Sequence, residues 1–319
     1  MRYKLTTSLV LLLLLASVVC AQKKTGDPNK FAVILVGAGG EAEYAKVFEQ
    51  WTTELKAVLA DDYGFETQKL LVVQNAKAID VRNTFAQLKS QMEANNVLFV
   101  FLIGHGSFDG KESKFNLVGP DLAASEYNTL LSALPTKRVV VLNMASASGE
   151  FVKSLSAKGR IVITATKSGQ ETNATRFAGF FIAALRAPDA DTDQDGHTSI
   201  LETFVYANRL TSDFYTRAGR LATEHALIDD NGDGVGREKA EAGEGLLARA
   251  TYLDSLSIDE AAASAATGRL LKERTRLEGE IEQLIARKRN MPETEYEATL
   301  EQLFIELAKV NRSIKQAGS

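Results

Sequence analysis

Two side chains that could act together on a bond stand at matching places in this 319-residue chain. His105 follows the apolar run from Val97 to Ile103, within Gly104-His105-Gly106-Ser107. Ser146 follows the run Arg138-Val139-Val140-Val141-Leu142, within Asn143-Met144-Ala145-Ser146-Ala147-Ser148-Gly149. An imidazole beside a hydroxyl is a general base beside the nucleophile it activates, because a serine hydroxyl is essentially never ionised at neutral pH. Such an imidazole usually needs a carboxylate to orient it, and Asp109 lies near in sequence. Further along, carboxylates recur at alternate positions in Asp191-Thr192-Asp193-Gln194-Asp195-Gly196, and Glu202 closes the stretch. Side chains at that spacing converge on one point, which is chemistry for holding a cation rather than for breaking a bond.

The elements that must position His105 and Ser146 are the two apolar runs themselves. Both are rich in β-branched and aliphatic residues without polar alternation, which predicts strands buried on both faces of a parallel sheet. Reacting groups in such sheets gather outside the carboxyl ends of the strands, so His105 and Ser146 would face each other across one crevice. Phe31 to Val36, Leu70 to Val73 and Arg160 to Thr164 predict three more strands. Helices are expected from about Glu41 to Leu59, from Ala78 to Ala94 with Val81, Phe85, Leu88 and Met92 at core spacing, and from Thr172 to Leu185. Phe108 to Leu134 is expected to hold a loop and a short helix. This alternation predicts an α/β fold with a doubly wound, mainly parallel sheet flanked by helices and joined by right-handed crossovers.

An apolar strand ending in His-Gly, followed about forty residues later by a strand ending in a small-residue loop, resembles the caspase/legumain-like cysteine peptidases. Legumain-type enzymes carry His-Gly-Ser after the first strand, as His105-Gly106-Ser107 do here. After the second they carry Glu-Ala-Cys-Glu-Ser-Gly, to which Met144-Ala145-Ser146-Ala147-Ser148-Gly149 is similar. The resemblance spans roughly residues 30 to 185 and implies a caspase-like fold. It also implies that His105 supplies the imidazole and that Ser146 stands where the nucleophilic cysteine would be. The N–H of Gly106 would then help polarise the scissile carbonyl. Met144 replaces a glutamate of the family's specificity pocket, and Glu171-Thr172-Asn173 is similar to a segment near that pocket. A site shaped for thiolate need not hold a hydroxyl at productive range. A catalytically inactive peptidase homologue is therefore the expectation, and an active endopeptidase using a His105/Ser146 dyad is the alternative.

The acidic stretch from Asp191 to Glu202 fits the EF-hand loop D-x-D-x-D-G-x5-E, and calcium is the expected ion. Asp191, Asp193 and Asp195 offer carboxylates, Gly196 allows the turn, His197 offers its main-chain carbonyl and Glu202 closes the site. No clear helix enters this loop, so a loop followed by one helix is expected rather than a full EF-hand pair. Asp229-Asp230-Asn231-Gly232-Asp233-Gly234 starts the same pattern, with Asp229, Asn231 and Asp233 as candidate ligands. Ala240 stands where the closing glutamate belongs.

Gly37-Ala38-Gly39-Gly40-Glu41-Ala42 matches the dinucleotide fingerprint G-x-G-x-x-A, but Val73 leads to Gln74 and Asn75 rather than to the acid that ribose recognition requires. The glycines are better explained by the strand-to-helix turn itself. From Ile258 onward the chain turns to Ala, Glu, Arg, Lys and Leu. Leu270, Leu277, Ile281 and Leu284 form one helical seam, and Tyr296, Leu300, Leu303, Leu307, Val310 and Ile314 another, with Pro292 suited to the start of the second helix. An antiparallel, coiled-coil-like helical hairpin follows, closed on itself or paired with another copy. Arg274 and Lys288 interrupt its first seam.

Residues 1–21 have the charge and apolar core of a secretory signal, with Arg2 and Lys4, an apolar run from Leu9 to Val19, and Val19-Cys20-Ala21 before Gln22. That run is too short to span a bilayer. An exported, periplasmic or secreted protein is expected; Val19 disfavours a lipoprotein anchor at Cys20. Cys20 is the single cysteine, so loss of the leader would leave no thiol. The net charge of −4 becomes −6 without Arg2 and Lys4, which disfavours nucleic acid and anionic membranes as partners. The expected organisation is a signal peptide (1–21), a linker (22–29), a caspase/legumain-like domain (30–257) with a calcium-loop segment (187–240), and the hairpin (258–319). A peptide or protein ligand is the expected partner.

Overall fold

A computed structural model describes residues 28–194, 196–240, 244–253, 267–288 and 291–317. The leader with Cys20, the loop residue Asp195 and the start of the 258–319 segment lie outside the described residues. No described helix is long and apolar enough to cross a membrane.

Six strands form the central sheet, in the spatial order Leu70–Val73, Lys30–Val36, Val97–Ile103, Arg138–Asn143, Arg160–Thr164 and Leu227–Asp229. The first five are β1 (Lys30–Val36), β2 (Leu70–Val73), β3 (Val97–Ile103), β7 (Arg138–Asn143) and β8 (Arg160–Thr164), all parallel to their neighbours. The edge strand β9 (Leu227–Asp229) runs antiparallel to β8. Every residue of β1 and β3 is buried, as the unbroken apolar runs require of strands covered on both faces.

The period of two along β3 splits the core into halves. Phe99, Phe101 and Ile103 face one side, packed with Phe48 and Leu55 of α1 (Ala42–Ala57), Phe177 and Phe181 of α5 (Phe177–Ala184) and Phe204 of α6 (Ile200–Arg217). Leu98, Val100 and Leu102 face the other, with Val81, Phe85 and Leu88 of α2 (Ala78–Gln91), Tyr127 of α3 (Ala124–Ser132) and Phe151 of α4 (Phe151–Leu155). Each fully buried aromatic or aliphatic side chain contributes roughly 1.5–3 kcal/mol. This double layer holds the carboxyl ends of β3 and β7 side by side, with Leu102 opposite Asn143.

Three expectations change. The helix after β8 begins at Phe177 rather than Thr172, because the Glu224 carboxylate accepts the N–H groups of Arg176 and Phe177 and fixes the helix start there. Between β3 and α3 the chain also builds a small antiparallel sheet of β4 (Gly106–Phe108), β5 (Ser113–Phe115) and β6 (Leu122–Ala123). The helix α2 stops at Gln91, short of Ala94.

The C-terminal segment forms two helices, Thr267–Arg287 and Glu293–Ala317, packed against each other with Pro292 immediately before the second. Leu277, Ile281, Leu284 and Tyr296 are buried in their contact. Arg274, which interrupts the first seam, is buried because its guanidinium reaches the Tyr252 hydroxyl and ring.

Candidate functional site

His105 and Ser146 do lie beside each other's chain segments, at adjacent strand ends. The Ser146 loop is anchored at three points. Thr175 Oγ1 donates to the Met144 carbonyl at 2.6 Å, the Ala147 N–H donates to the Glu171 carbonyl at 2.7 Å, and the Gly106 N–H donates to Ser146 Oγ at 3.2 Å. Ala147 takes a left-handed φ of 50° to make the turn. Ser146 is only 2% exposed, and its hydroxyl donates to the Gly106 carbonyl at 3.3 Å. A Cβ on Gly106 would stand 2.2 Å from the Ser146 carbonyl oxygen, so glycine is what lets the two loops meet.

The His105 ring takes another direction. It packs edge-on against Tyr44 (centroids 4.8 Å apart) and Phe48 (5.0 Å), both on α1. Burial pushes its pKa below 6.5, outweighing the opposing influence of the Gly39 main chain and of the Glu41 charge. No hydrogen bond joins the ring to Ser146 among the described residues. Asp109, the carboxylate nearest in sequence, pairs with Lys114 at 2.9 Å and accepts the N–H groups of Lys111 and Glu112. The imidazole opens instead on a cavity of about 430 Å³ lined by Tyr44, Phe48, Trp51, His105, Arg176 and Tyr215.

The glycines after β1 are used within the chain. A Cβ at Gly37 would stand 2.3 Å from the Asn116 carbonyl oxygen and one at Gly39 2.7 Å from Ala45 Cβ, while the Gly37 and Ala38 N–H groups donate to Ile103 and Asn116. This is a strand-to-helix turn pressed against its neighbours.

Acidic groups gather at two places. Asp191, Asp193 and Glu202 each bring one ligand-capable oxygen within 4.8 Å of the others. The Gly196 N–H donates to Asp191 at 2.9 Å, and Gly196 and Gln194 hold left-handed φ values of 92° and 58°. Glu202 accepts from the main chain of Thr192 and Ser199 and caps the start of α6 in a reciprocal box with Ser199. His197, expected to offer its carbonyl, packs its ring edge-on against Tyr252 at 6.3 Å. A one-turn helix, Pro188–Ala190, enters the loop and a long helix leaves it.

At the second place Asp229, Asp233 and Glu244 converge in the same way. Asp229 accepts the Gly232 and Gly234 N–H groups, and Asn231 reaches Asp233 at 3.4 Å and Glu244 at 3.2 Å. The Arg237 guanidinium bridges Asp233 at 2.7 Å and Glu244 at 2.5 Å. The third acid of this cluster, Glu244, lies four residues beyond position 240, where the motif's spacing puts its closing glutamate.

Sequence reasoning also missed a His–carboxylate pair. His225 Nδ1 lies 2.5 Å from Glu171 Oε1, and the same carboxylate accepts the main-chain N–H groups of His225 and Lys167. Glu171 thereby ties the Ser146 loop to the segment before β9. The two residues are 54 positions apart, so no local pattern could announce them.

The fold and site define an α/β protein with a six-stranded, mainly parallel sheet whose candidate site sits at the carboxyl ends of β3 and β7. No protein-family model matches the chain, and no curated protein matches it in sequence. Among solved structures it is similar to the Drosophila initiator caspase Dronc, at 11% identity and a TM-score of 0.42, over 67% of this chain and 85% of that chain.

Proposed function

We propose that this chain is an exported, calcium-binding, caspase/legumain-like peptidase homologue that binds a peptide or protein rather than cleaving it. The observation that carries the reading is the state of the Ser146 hydroxyl. Its proton is directed to the Gly106 carbonyl, its oxygen takes up the Gly106 N–H, and the imidazole at the neighbouring strand end packs against Tyr44 and Phe48, with no hydrogen bond to Ser146 among the described residues. Hydrolysis would need the opposite allocation: the hydroxyl donating to His105, and the Gly106 N–H available to a substrate carbonyl. A cavity of about 430 Å³ with aromatic walls beside His105 suits a side chain of a bound peptide.

Calcium is proposed at the Asp191–Glu202 loop, with Asp191, Asp193, Asp195, Glu202 and the His197 carbonyl as ligands, and at Asp229, Asn231, Asp233 and Glu244. The supporting observations are the motif's spacing, the Gly196-to-Asp191 bond inside the loop and the convergence of the carboxylates. Bound ions would neutralise these charges, one at the start of α6 and the other at the end of β9.

Incubating the protein with a peptide library, with and without calcium, beside His105→Ala and Ser146→Ala, tests both halves. The expected result is no cleavage and a calcium-dependent rise in melting temperature that Asp193→Ala reduces. Cleavage abolished by both substitutions would establish the active endopeptidase instead. A melting temperature indifferent to calcium would remove the metal sites.

A further inference from the structure

We infer that the outer face of the Glu293–Ala317 helix is a homodimer seam, where two copies of this chain pair antiparallel about a two-fold axis near Phe304 and Ile305. The inner face of this helix, through Tyr296, packs on its hairpin partner. A second stripe lies about a third of a turn round the helix: Glu297, Glu301, Phe304, Ala308 and Arg312 are all exposed and spaced to share one face, and Phe304, at its edge, also lines with Ile281 and Leu307 a cavity of about 780 Å³ against Leu201, Val205 and Arg209 of α6. Glu297, Leu300, Glu301, Phe304, Ile305 and Ala308 line a shallow apolar groove there. Phe304 is 51% exposed and Ile305 48%, and they fall at the middle of the helix.

Charge decides the occupant. The acids Glu297 and Glu301 precede the apolar centre, and the bases Lys309 and Arg312 follow it. None of these four forms an ion pair within the protomer among the described residues. A partner helix must offer bases opposite the acids and acids opposite the bases, with an apolar centre between. This helix meets that description when reversed. Aligning Phe304 with Ile305 of a second copy sets Glu297 against Arg312 of the second copy, and Glu301 beside Lys309 of the second copy. The contact then spans about 22 Å of helix axis. A parallel arrangement would instead set like charges together. An isologous two-fold contact is the commonest form of assembly, and a single-helix seam belongs at the small end of specific interfaces, so the dimer is reversible. The apolar centre supplies the attraction, and the rim charges fix direction and register.

Sedimentation equilibrium of the full chain, from micromolar concentrations upward, tests this. The wild type should show a reversible monomer–dimer equilibrium. Phe304→Glu should raise the dissociation constant about tenfold or more. Glu297→Arg and Arg312→Glu should each raise it about fivefold, each change acting at both symmetric contacts, and the double swap should recover most of the loss. Circular dichroism checks that the helices persist; should Phe304→Glu unfold the hairpin, the charge swaps alone decide. A wild type that stays monomeric, a dimer indifferent to Phe304→Glu in a folded hairpin, or a double swap no better than the single ones would each overturn the seam. None of these outcomes bears on the cleavage and calcium tests, which read other surfaces of the protein.

Discussion

Replacing Glu244 with Gln should alter how stability responds to pH in a direction the structure fixes. The Glu244 side chain is fully buried, accepts the Asp230 N–H, and meets Asn231 and Arg237. Burial, then the hydrogen bond and charge shared with the Asp230 carboxyl and the charge of Asp229, push its pKa from 4.5 to about 7. A raised value means that the folded protein keeps a proton the unfolded chain releases. Its stabilisation is therefore complete below pH 4.5 and is lost as pH rises through 7. At 1.36 kcal/mol for each tenfold change, the gap corresponds to about 3 kcal/mol in total, roughly 2.5 of it between about pH 5 and pH 8. For a domain of this size that is roughly 5–10 °C in melting temperature.

The assay is thermal melting in chelator across that range, wild type minus Glu244→Gln. Other titrating groups, His105 and Glu224 among them, are common to both proteins and cancel in the difference. The wild type should lose stability relative to the variant as pH rises. Saturating calcium should suppress the loss, since a cation held by Asp229, Asp233 and Glu244 favours the ionised carboxyl. Parallel curves in chelator would refute the raised carboxyl; a difference that calcium leaves untouched would refute its place as a ligand.

Gly106→Ala should destabilise by about 3 kcal/mol, because the new methyl would meet the Ser146 and Lys114 carbonyl oxygens at 2.2 and 3.0 Å; chemical denaturation reads this. Ser146→Cys should give a thiol that alkylates slowly, since burial disfavours the thiolate and the position is 2% exposed; fast labelling of the leader-free protein would contradict that burial. An NMR titration of His105 should return a pKa below 6.5, and the stability tied to its neutral ring should fade as pH drops below that value. Ser199→Ala should cost about 1 kcal/mol of stability by removing the hydroxyl that accepts the Glu202 N–H.

What the sequence made legible follows from the range of its interactions. The runs of β1, β3, β7 and β8 stand out because strands covered on both faces leave no polar position to blur them. β9 escaped notice because three residues, Leu227-Ile228-Asp229, hold no periodicity of their own and become a strand only through β8. The β4–β5 ribbon turns through Asp109-Gly110, a recognised hairpin signal, but its strands of three residues are too short to show alternation. In the site, the first acidic loop is local and was visible, whereas Glu244 and the Glu171–His225 pair depend on contacts across 13 and 54 positions.

The position of the His105 ring has the same origin, and it bears on function. Sequence places His105 at the end of β3 but says nothing of what waits beside it. The helix α1, which follows the turn after β1, sets Tyr44 and Phe48 against the imidazole. Turning the ring toward Ser146 would open the contacts with Tyr44 and Phe48, while the hydroxyl would have to leave both Gly106 groups. At about 1 kcal/mol for each hydrogen bond surrendered and about 0.5–1.5 kcal/mol for an aromatic contact, a productive dyad lies several kcal/mol above the arrangement seen. A bound peptide that restored catalysis would have to supply that difference from its own contacts, whereas a peptide that only binds can use the cavity beside His105 as it stands.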